Sequence, residues 1–249
     1  MMRRMKRYSI WAPHYHQNSG GVRALYQLND RLQALGFATE IGRRRKFQDS
    51  IVIYPEIIQD NPWRTRHAVR WALRATVVAR PEDQVWVWSV SFLDAINTLT
   101  GRGLTESDVF NLPLTEVEIF NNNHPLSRKG IVFFKAPQMR ENNWMTEITM
   151  SWPNTRQEIA ALLRKSDYLI CGKMSNMIDE ARFCGCPVLI TGWEKPIRTD
   201  YGLDGVCWSL DELDEARKTV NDALPKYLAY YEKLPEQLAY FIKRTQETV

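Results

Sequence analysis

Two polar residues that follow an apolar run and precede a short helical segment have the arrangement of a phosphate site. Ser175 and Asn176 come after the run at 168–171, and either can cap a helix that begins near residue 177. Free backbone N–H groups and the positive end of the helix dipole favour an anion there. Glu180 lies one turn into the helix, where its carboxylate could reach ribose hydroxyls. The predicted chemistry is recognition of a nucleotide.

The elements around these residues predict a βαβ unit. Apolar runs at 168–171 and 188–190 are typical of buried strands, and residues 177–184 between them form a short helical segment. Gly185 suits the position after a helix end, and Pro187 prevents further helix. The start of the helix is then expected at the carboxyl edge of a parallel sheet, where α/β proteins bind ligands.

The segment from Met177 to Val188, Met-Ile-Asp-Glu-Ala-Arg-Phe-Cys-Gly-Cys-Pro-Val, resembles the donor-site signature of GT-B-type glycosyltransferases. The resemblance implies that Glu180 holds the ribose of a nucleotide-sugar and that the loop from Lys173 to Asn176 faces the diphosphate. Many retaining members carry an earlier glutamate eight positions upstream, and this chain has Gly172 there. A UDP-linked sugar is the expected co-substrate, and no other cofactor is expected.

Lysines and glycines at other predicted strand ends complete the expected donor site. Lys135 follows the apolar run 131–134 and resembles the family lysine that neutralises the diphosphate, and Lys173 lies in the diphosphate loop itself. Ammonium groups stabilise departing phosphate charge without a metal ion, so no metal is expected. Gly20 and Gly21 follow the first strand and allow close approach to the backbone. They resemble the loop that touches the donor from the other domain, and they favour retention of anomeric configuration.

Candidates for a general base follow predicted strands of the first half. His14 and His16 come after the first strand, and either could take a proton from an acceptor hydroxyl. Asp94 follows the predicted strand 85–88 and is a rival base. Each also has an ordinary interpretation, as a loop histidine without a chemical role or as a residue that begins a helix over 92–99. The choice among the three stays open.

Positive charge is concentrated in the first third of the chain. Residues 1–80 contain 15 Lys/Arg against 5 Asp/Glu, whereas the remainder contains 18 against 24. Two groups contribute most: the run Arg43, Arg44, Arg45 and Lys46, and the residues Arg66, Arg70 and Arg74 at four-residue steps on a predicted helix over 63–76. They predict an anionic acceptor, either a lipid-linked glycan or DNA, and peripheral contact with a membrane. A solvated basic face is the alternative.

Composition and cysteine usage restrict the class of protein. The 249-residue chain is 44% hydrophobic and 25% charged, which is typical of a globular protein, and no apolar run is long enough to cross a bilayer. Its four cysteines, at 171, 184, 186 and 207, fall in or beside predicted core elements, and Cys184-Gly-Cys186 lacks the spacing of a zinc site. Reduced core thiols indicate a cytoplasmic protein.

Strand and helix patterns alternate along the chain and predict an α/β protein with two Rossmann-like, doubly wound domains. A polar stretch at 121–125 gives the expected boundary. An acceptor-binding domain is expected over 1–124, and a donor-binding domain over 125–249 with terminal helices that cross back. The two domains are expected to face each other across a cleft, as in a compact GT-B enzyme.

These observations predict a metal-independent glycosyltransferase that moves a sugar from a nucleotide diphosphate to an acceptor hydroxyl. A surface glycan or lipid-linked carrier is the favoured acceptor, and a hydroxymethylated base in DNA is the alternative. A nucleotide-sugar epimerase could share the architecture. The rival from another class is a non-catalytic nucleic-acid-binding α/β protein, although no helix-turn-helix, zinc finger or aromatic single-strand platform supports it.

Overall fold

The computed structural model describes residues 7–123, 126–196 and 198–247, which form two compact units. The first unit comprises the described residues up to Leu112 together with those from Lys233 onward, and the second extends from Pro113 to Glu232. The boundary expected between residues 124 and 125 lies outside the described residues. The chain divides before that point, directly after Leu112.

The first unit is built on five parallel strands. They are β1 (Arg7–Trp11), β2 (Thr39–Gly42), β3 (Ser50–Pro55), β4 (Ala68–Ala72) and β5 (Gln84–Val87), in the sheet order β2-β1-β3-β4-β5. Helix α1 (Gly20–Ala34) joins β1 to β2, and α2 (Leu93–Thr100) follows β5. The predicted three-to-four apolar spacing of α1 is confirmed, because Leu25, Leu28 and Leu32 are all buried.

Residues 63–76 do not form the predicted helix. Ala68–Ala72 instead form β4, a strand between β3 and β5 with every residue buried. The four-residue arginine spacing imitates a helical period, but Arg70 lies in the strand with no exposed surface. Its guanidinium donates to Asp83 Oδ2 at 2.8 Å and to two backbone oxygens at 2.7 and 2.9 Å. The strand accommodates this charge because the acceptors replace water.

The second unit contains another five-stranded parallel sheet. Its strands are β6 (Ile131–Phe134), β7 (Met145–Ile148), β8 (Tyr168–Cys171), β9 (Val188–Ile190) and β10 (Val206–Cys207), in the order β10-β9-β8-β6-β7. Its helices are α3 (Arg156–Lys165), α4 (Met177–Phe183), α5 (Leu213–Thr219) and α6 (Ala223–Tyr231). The predicted capping box at Thr155 and the stop at Gly185 (φ 69°) are both confirmed.

Alternate side chains of β6 enter two cores on opposite faces of the second sheet. Val132 and Phe134 join a core that also contains residues of α3, α4 and α6. Phe133 lies in another core with Leu213 and Ala216 of α5. Helices on both faces of a parallel sheet define a doubly wound layer. The predicted α/β class with Rossmann-like units is confirmed.

Helix α7 (Leu234–Glu247) belongs to the first unit although it follows the second in sequence. Phe241 stacks on Phe110 with ring centroids 4.4 Å apart and meets Trp86 edge-on at 4.9 Å. The hydroxyl groups of Tyr8 in β1 and Thr245 are hydrogen-bonded at 2.7 Å. The C-terminal helix therefore packs in the first unit, although the second unit lies between the two segments in sequence.

Candidate functional site

Each sheet has a point where successive connections leave in opposite directions. In the second sheet β7 lies on one side of β6 and β8 on the other, and in the first sheet β2 and β3 flank β1 in the same way. Ligands of open α/β sheets bind at such switch points, outside the carboxyl ends of the strands. The candidate sites are therefore the loops after β6 and β8, and separately those after β1 and β3.

The loops after β6, β8 and β9 approach one another so closely that only glycine fits between them. A Cβ atom on Gly172 would collide with the carbonyl oxygen of Lys135. A Cβ atom on Gly192 would collide with the carbonyl oxygen of Gly172 itself. Position 172, where the family resemblance expects a glutamate, thus has room only for hydrogen.

Lys135 and Lys173 lie after adjacent strands at this edge. Lys135 directly follows β6, is exposed, and has a left-handed backbone (φ 51°) that is unfavourable for a residue with a side chain. Its Nζ lies 4.8 Å from the centroid of the Phe134 ring. Lys173 is exposed two residues after β8, and its carbonyl accepts from the Cys171 thiol at 3.1 Å. Because β6 and β8 are hydrogen-bonded neighbours, both lysines follow strands at one carboxyl edge.

Ser175 and Asn176 precede α4, and the sequence predicts that either can cap it. The Asn176 side chain makes no capping hydrogen bond. Asn176 already has helical backbone angles (φ −60°, ψ −17°). Its side-chain amide donates to Thr115 Oγ1 at 3.0 Å and to Glu180 Oε1 at 2.7 Å. Ser175 Oγ accepts a long hydrogen bond, 3.4 Å, from the N–H of Met177. The capping role therefore falls to Ser175 alone, and weakly.

Glu180 is buried instead of facing solvent, with 1% of its surface exposed. Its Oε1 accepts from Arg156 at 2.6 Å as well as from Asn176. Arg156 also donates to Glu116 Oε2 at 2.8 Å, and its guanidinium lies 4.4 Å from the centroid of the Phe120 ring. In this structure the Glu180 carboxylate lies against Asn176 and Arg156, and its contact with a ribose stays a prediction.

Arg156 is a residue of this network that the sequence analysis does not identify. Burial acts to lower its pKa, but the carboxylates of Glu180 and Glu116 outweigh burial and raise it. The available signal was its position at the start of α3, directly after the capping residue Thr155. An arginine there opposes the helix dipole, which indicates a specific acidic partner.

His14 and His16 lie in the loop after β1, and both are exposed. The N–H of Asn18 donates to Nδ1 of His16 at 3.2 Å. Asp94 is exposed in the first turn of α2, which agrees with its interpretation as a helix-start residue. Asp94 follows β5, which is an edge strand. Three strand spacings, or about 14 Å, separate β5 from β1.

Glu56 is a second residue that the sequence analysis does not assign. It directly follows β3 at the switch point of the first sheet, and 6% of its side chain is exposed. The N–H of Leu73 donates to its Oε2 at 3.2 Å, and Arg74 Nε lies 3.6 Å from Oε1. Burial nevertheless raises its pKa above 4.5. A carboxylate with a raised pKa at a ligand-binding edge has the properties of a general base.

Gly20 and Gly21 begin α1 close to the same switch point. Ser19 has the extended backbone of a helix-capping residue, and its carbonyl accepts from the N–H of Arg23 at 2.9 Å. A Cβ atom on Gly21 would lie 3.6 Å from Leu73 Cδ1, an ordinary contact distance. Packing therefore does not require glycine at position 21, in contrast to position 172.

The arginines predicted to bind an acceptor have different environments. Arg70 is in the core and cannot contact a ligand. Arg45 donates to two backbone carbonyl groups at 2.6 and 2.8 Å and joins two loops. Arg43, Arg44 and Arg66 are exposed, and the Arg43 guanidinium lies 5.9 Å from the centroid of an indole ring of β1. The exposed members are the ones that remain available to an anion.

The four cysteines are free and buried, as predicted. Burial raises the pKa of the Cys171 thiol to about 12, so it stays protonated near neutral pH. Within residues 7–123, 126–196 and 198–247, no three His, Cys, Asp or Glu side chains are grouped as metal ligands. In the same ranges, no helix has the length and apolar character needed to cross a membrane.

Similar solved structures include three glycosyltransferases. A DNA-modifying beta-glucosyltransferase, solved with and without uridine diphosphoglucose, is 9% identical over 97% of both chains, with a TM-score of 0.47. AviGT4, a glycosyltransferase of avilamycin A biosynthesis, is 12% identical over 94% of this chain and 98% of its own, with a TM-score of 0.45. An alpha-glucosyltransferase in complex with UDP and a 13-mer DNA is 8% identical over 97% and 96%, with a TM-score of 0.42. No family model and no curated protein matches the sequence.

Proposed function

We propose that this protein is a glycosyltransferase that transfers a sugar from a UDP-linked donor to an acceptor hydroxyl. The observation that carries the proposal is the position of Lys135 and Lys173 at the carboxyl edge of β6 and β8. The loops that they border lie so close together that only glycine fits between them. A diphosphate needs compensating positive charge, which the two exposed lysines supply. The donor signature between Met177 and Val188 supports the same assignment.

In this proposal the lysines act on the leaving group. As the bond between the anomeric carbon and the phosphate oxygen breaks, Lys135 and Lys173 stabilise the charge that develops on the diphosphate. Ser175 and the N–H groups of its loop donate to phosphate oxygens. Asn176 contacts the nucleotide, and Glu180 is a positioning residue that holds the Asn176 amide in place.

In this proposal the acceptor oxygen bonds to the anomeric carbon while the proton of the acceptor hydroxyl passes to a general base. Glu56 is the preferred base because its raised pKa makes the carboxylate a stronger proton acceptor than an exposed one. His14, His16 and Asp94 are the alternatives, since all three are exposed beyond carboxyl ends of the same sheet.

A non-catalytic nucleic-acid-binding protein is the second candidate, and the exposed Arg44 and Arg66 favour it. Such a protein would bind nucleic acid without consuming a sugar nucleotide. The two candidates therefore differ in turnover and in the binding of a sugar nucleotide.

The test is to incubate the full chain with UDP-glucose, UDP-galactose or UDP-N-acetylglucosamine and to follow UDP release. Parallel reactions contain hydroxymethylated duplex DNA, a lipid-linked glycan acceptor, or neither. We expect release that depends on one acceptor and persists in EDTA, because lysines carry the charge. Epimerised sugar without UDP would identify an epimerase, and unchanged donors in every reaction would leave the non-catalytic candidate.

A further inference from the structure

A groove of about 630 Å³ opens at the amino-terminal edge of the first sheet, the end opposite the loops that contain His14 and Glu56. It lies between the segment before β3 and the segment before β4. Its lining residues share short polar or basic side chains around one indole: Arg45, Gln48, Asp49, Ser50, Pro62, Trp63, Arg64, Thr65, Arg66 and His67. None of these residues belongs to the candidate donor site.

One wall of the groove is fixed by hydrogen bonds to Arg45 and Glu40. Arg45 donates to the carbonyl of Phe47 at 2.6 Å, to the carbonyl of Trp63 at 2.8 Å, and to the carbonyl of Gln48. It therefore ties the two walls together. The Glu40 carboxylate accepts from the N–H groups of Lys46 and Phe47 at 2.8 and 2.9 Å. Arg45 builds the groove and is not its ligand-binding charge.

The other wall is a closed loop that projects two guanidinium groups. Asn61 Oδ1 accepts from the N–H of Thr65 and from the Tyr54 hydroxyl, each at 3.0 Å. Arg64 lies within this loop with a left-handed backbone (φ 47°), and Arg66 follows it. Both side chains are exposed, and neither forms an ion pair with another described residue.

We propose that this groove binds the sugar-phosphate backbone of a nucleic acid, with Arg64 and Arg66 on phosphate oxygens. Guanidinium groups match the geometry of phosphate, and Asp49 is the one carboxylate among the described residues of the lining. Trp63 adds an aromatic surface for a sugar or base. The site goes beyond the proposed transfer reaction and does not depend on it.

The shape and composition of the groove favour a nucleic acid over a lipid surface. A bilayer is flat, whereas this site is concave. Among the described residues, no exposed large apolar side chain lines it, so it lacks the groups that insert into a membrane.

The test is fluorescence anisotropy with the full chain, a labelled 20-base-pair duplex, and a single strand of equal length, from 50 to 200 mM KCl. The variant Arg64→Ala/Arg66→Ala is compared with Lys218→Ala/Lys243→Ala, which removes the same charge from side chains that are 72% and 70% exposed. We expect the arginine variant to bind at least about 10-fold more weakly. The slope of log K against log salt should fall by about 2, one for each lost phosphate contact.

Equal losses in the two double variants would overturn the proposal, as would an unchanged salt slope. Wild-type binding to vesicles of phosphatidylserine and phosphatidylcholine but to neither nucleic acid would also overturn it. Release of UDP from a sugar donor is measured separately. Failure of the transfer reaction therefore cannot be confused with failure of this site.

Discussion

Arg70 carries a positive charge inside the first sheet, and Asp83 compensates it. Neither side chain has exposed surface, and Arg70 Nε lies 2.8 Å from Asp83 Oδ2. Burial opposes ionisation of Asp83, but hydrogen bonds from Arg80 and Arg70 outweigh it and lower its pKa below 3.8. Removing one partner of such a pair leaves an uncompensated buried charge.

Arg70→Ala is therefore expected to lower the free energy of unfolding by about 3–5 kcal/mol, because Asp83 loses its buried partner. Urea denaturation at pH 7 measures the change. Arg66→Ala is the matched control, since that arginine is exposed in the same segment, and it should stay within about 0.5 kcal/mol of wild type. Equal stabilities of the two variants would show that Arg70 is not a core residue.

The raised pKa of Glu56 predicts a pH-dependent stability. The folded protein holds this proton more tightly than the unfolded chain, whose carboxyl titrates near 4.5. The free energy of unfolding should consequently fall as the pH rises from that value through the folded pKa. Glu56→Gln lacks this titrating carboxyl group, so its free energy of unfolding should not show this decrease. Denaturation at pH 4 and pH 8 should therefore show that the variant is more stable relative to wild type at pH 8 than at pH 4. A constant difference between the two proteins would mean that burial of this carboxylate has no cost.

At the scale of elements, the contact between the loops after β6 and β8 gives a second stability prediction. Gly172→Ala drives a methyl group into the Lys135 carbonyl and should cost about 1–3 kcal/mol or more, with weaker UDP binding because Lys135 moves. Gly21→Ala is the control, since its Cβ meets Leu73 at an ordinary 3.6 Å and alanine favours a helix. Chemical denaturation of both variants, and UDP titration of wild type and Gly172→Ala, measure the effects. A Gly172→Ala protein as stable as the control would rule out the close approach.

Elements with a strong local signal are predictable from this sequence. The apolar spacing of α1, the capping box at Thr155 and the runs of β8 and β9 all involve residues close in sequence. Strand β4 is not predictable in this way, because the partner that permits a buried Arg70 lies 13 residues away. Strand β7 is missed because three of its four residues are only half buried, which removes the apolar run.

In the candidate site, too, features with a local signal are predictable from the sequence, and features that depend on tertiary contacts are not. The positions of Lys135 and Lys173 follow from the apolar runs that they terminate, so the sequence predicts them. The burial of Glu180 depends on Arg156 and Glu116, which tertiary packing brings to it from 24 residues away and further. A motif alone cannot distinguish a carboxylate that faces a ligand from one that faces an arginine.

At the scale of the whole molecule, the return of α7 to the first unit makes a prediction about folding. Deletion of residues 233–249 removes Phe241 from its contacts with Phe110 and Trp86 and Thr245 from Tyr8. We expect faster hydrogen exchange in β1, β4 and β5 and unchanged exchange in β6, β8 and β9. Exchange measured by mass spectrometry on the full and shortened chains tests this. Equal acceleration in both sheets would contradict the assignment of α7 to one unit.

The account as a whole depends on a diphosphate at the carboxyl edge of the second sheet. Calorimetric titration of UDP into wild type, Lys135→Ala/Lys173→Ala and Lys218→Ala/Lys243→Ala tests this directly, since both variants lose two positive charges. Hydrogen bonds to charged groups contribute about 1.5–3 kcal/mol each. We therefore predict binding to wild type and to the control, and binding weaker by about 100-fold or more in Lys135→Ala/Lys173→Ala. The same affinity in all three proteins, or no affinity in wild type, would contradict it.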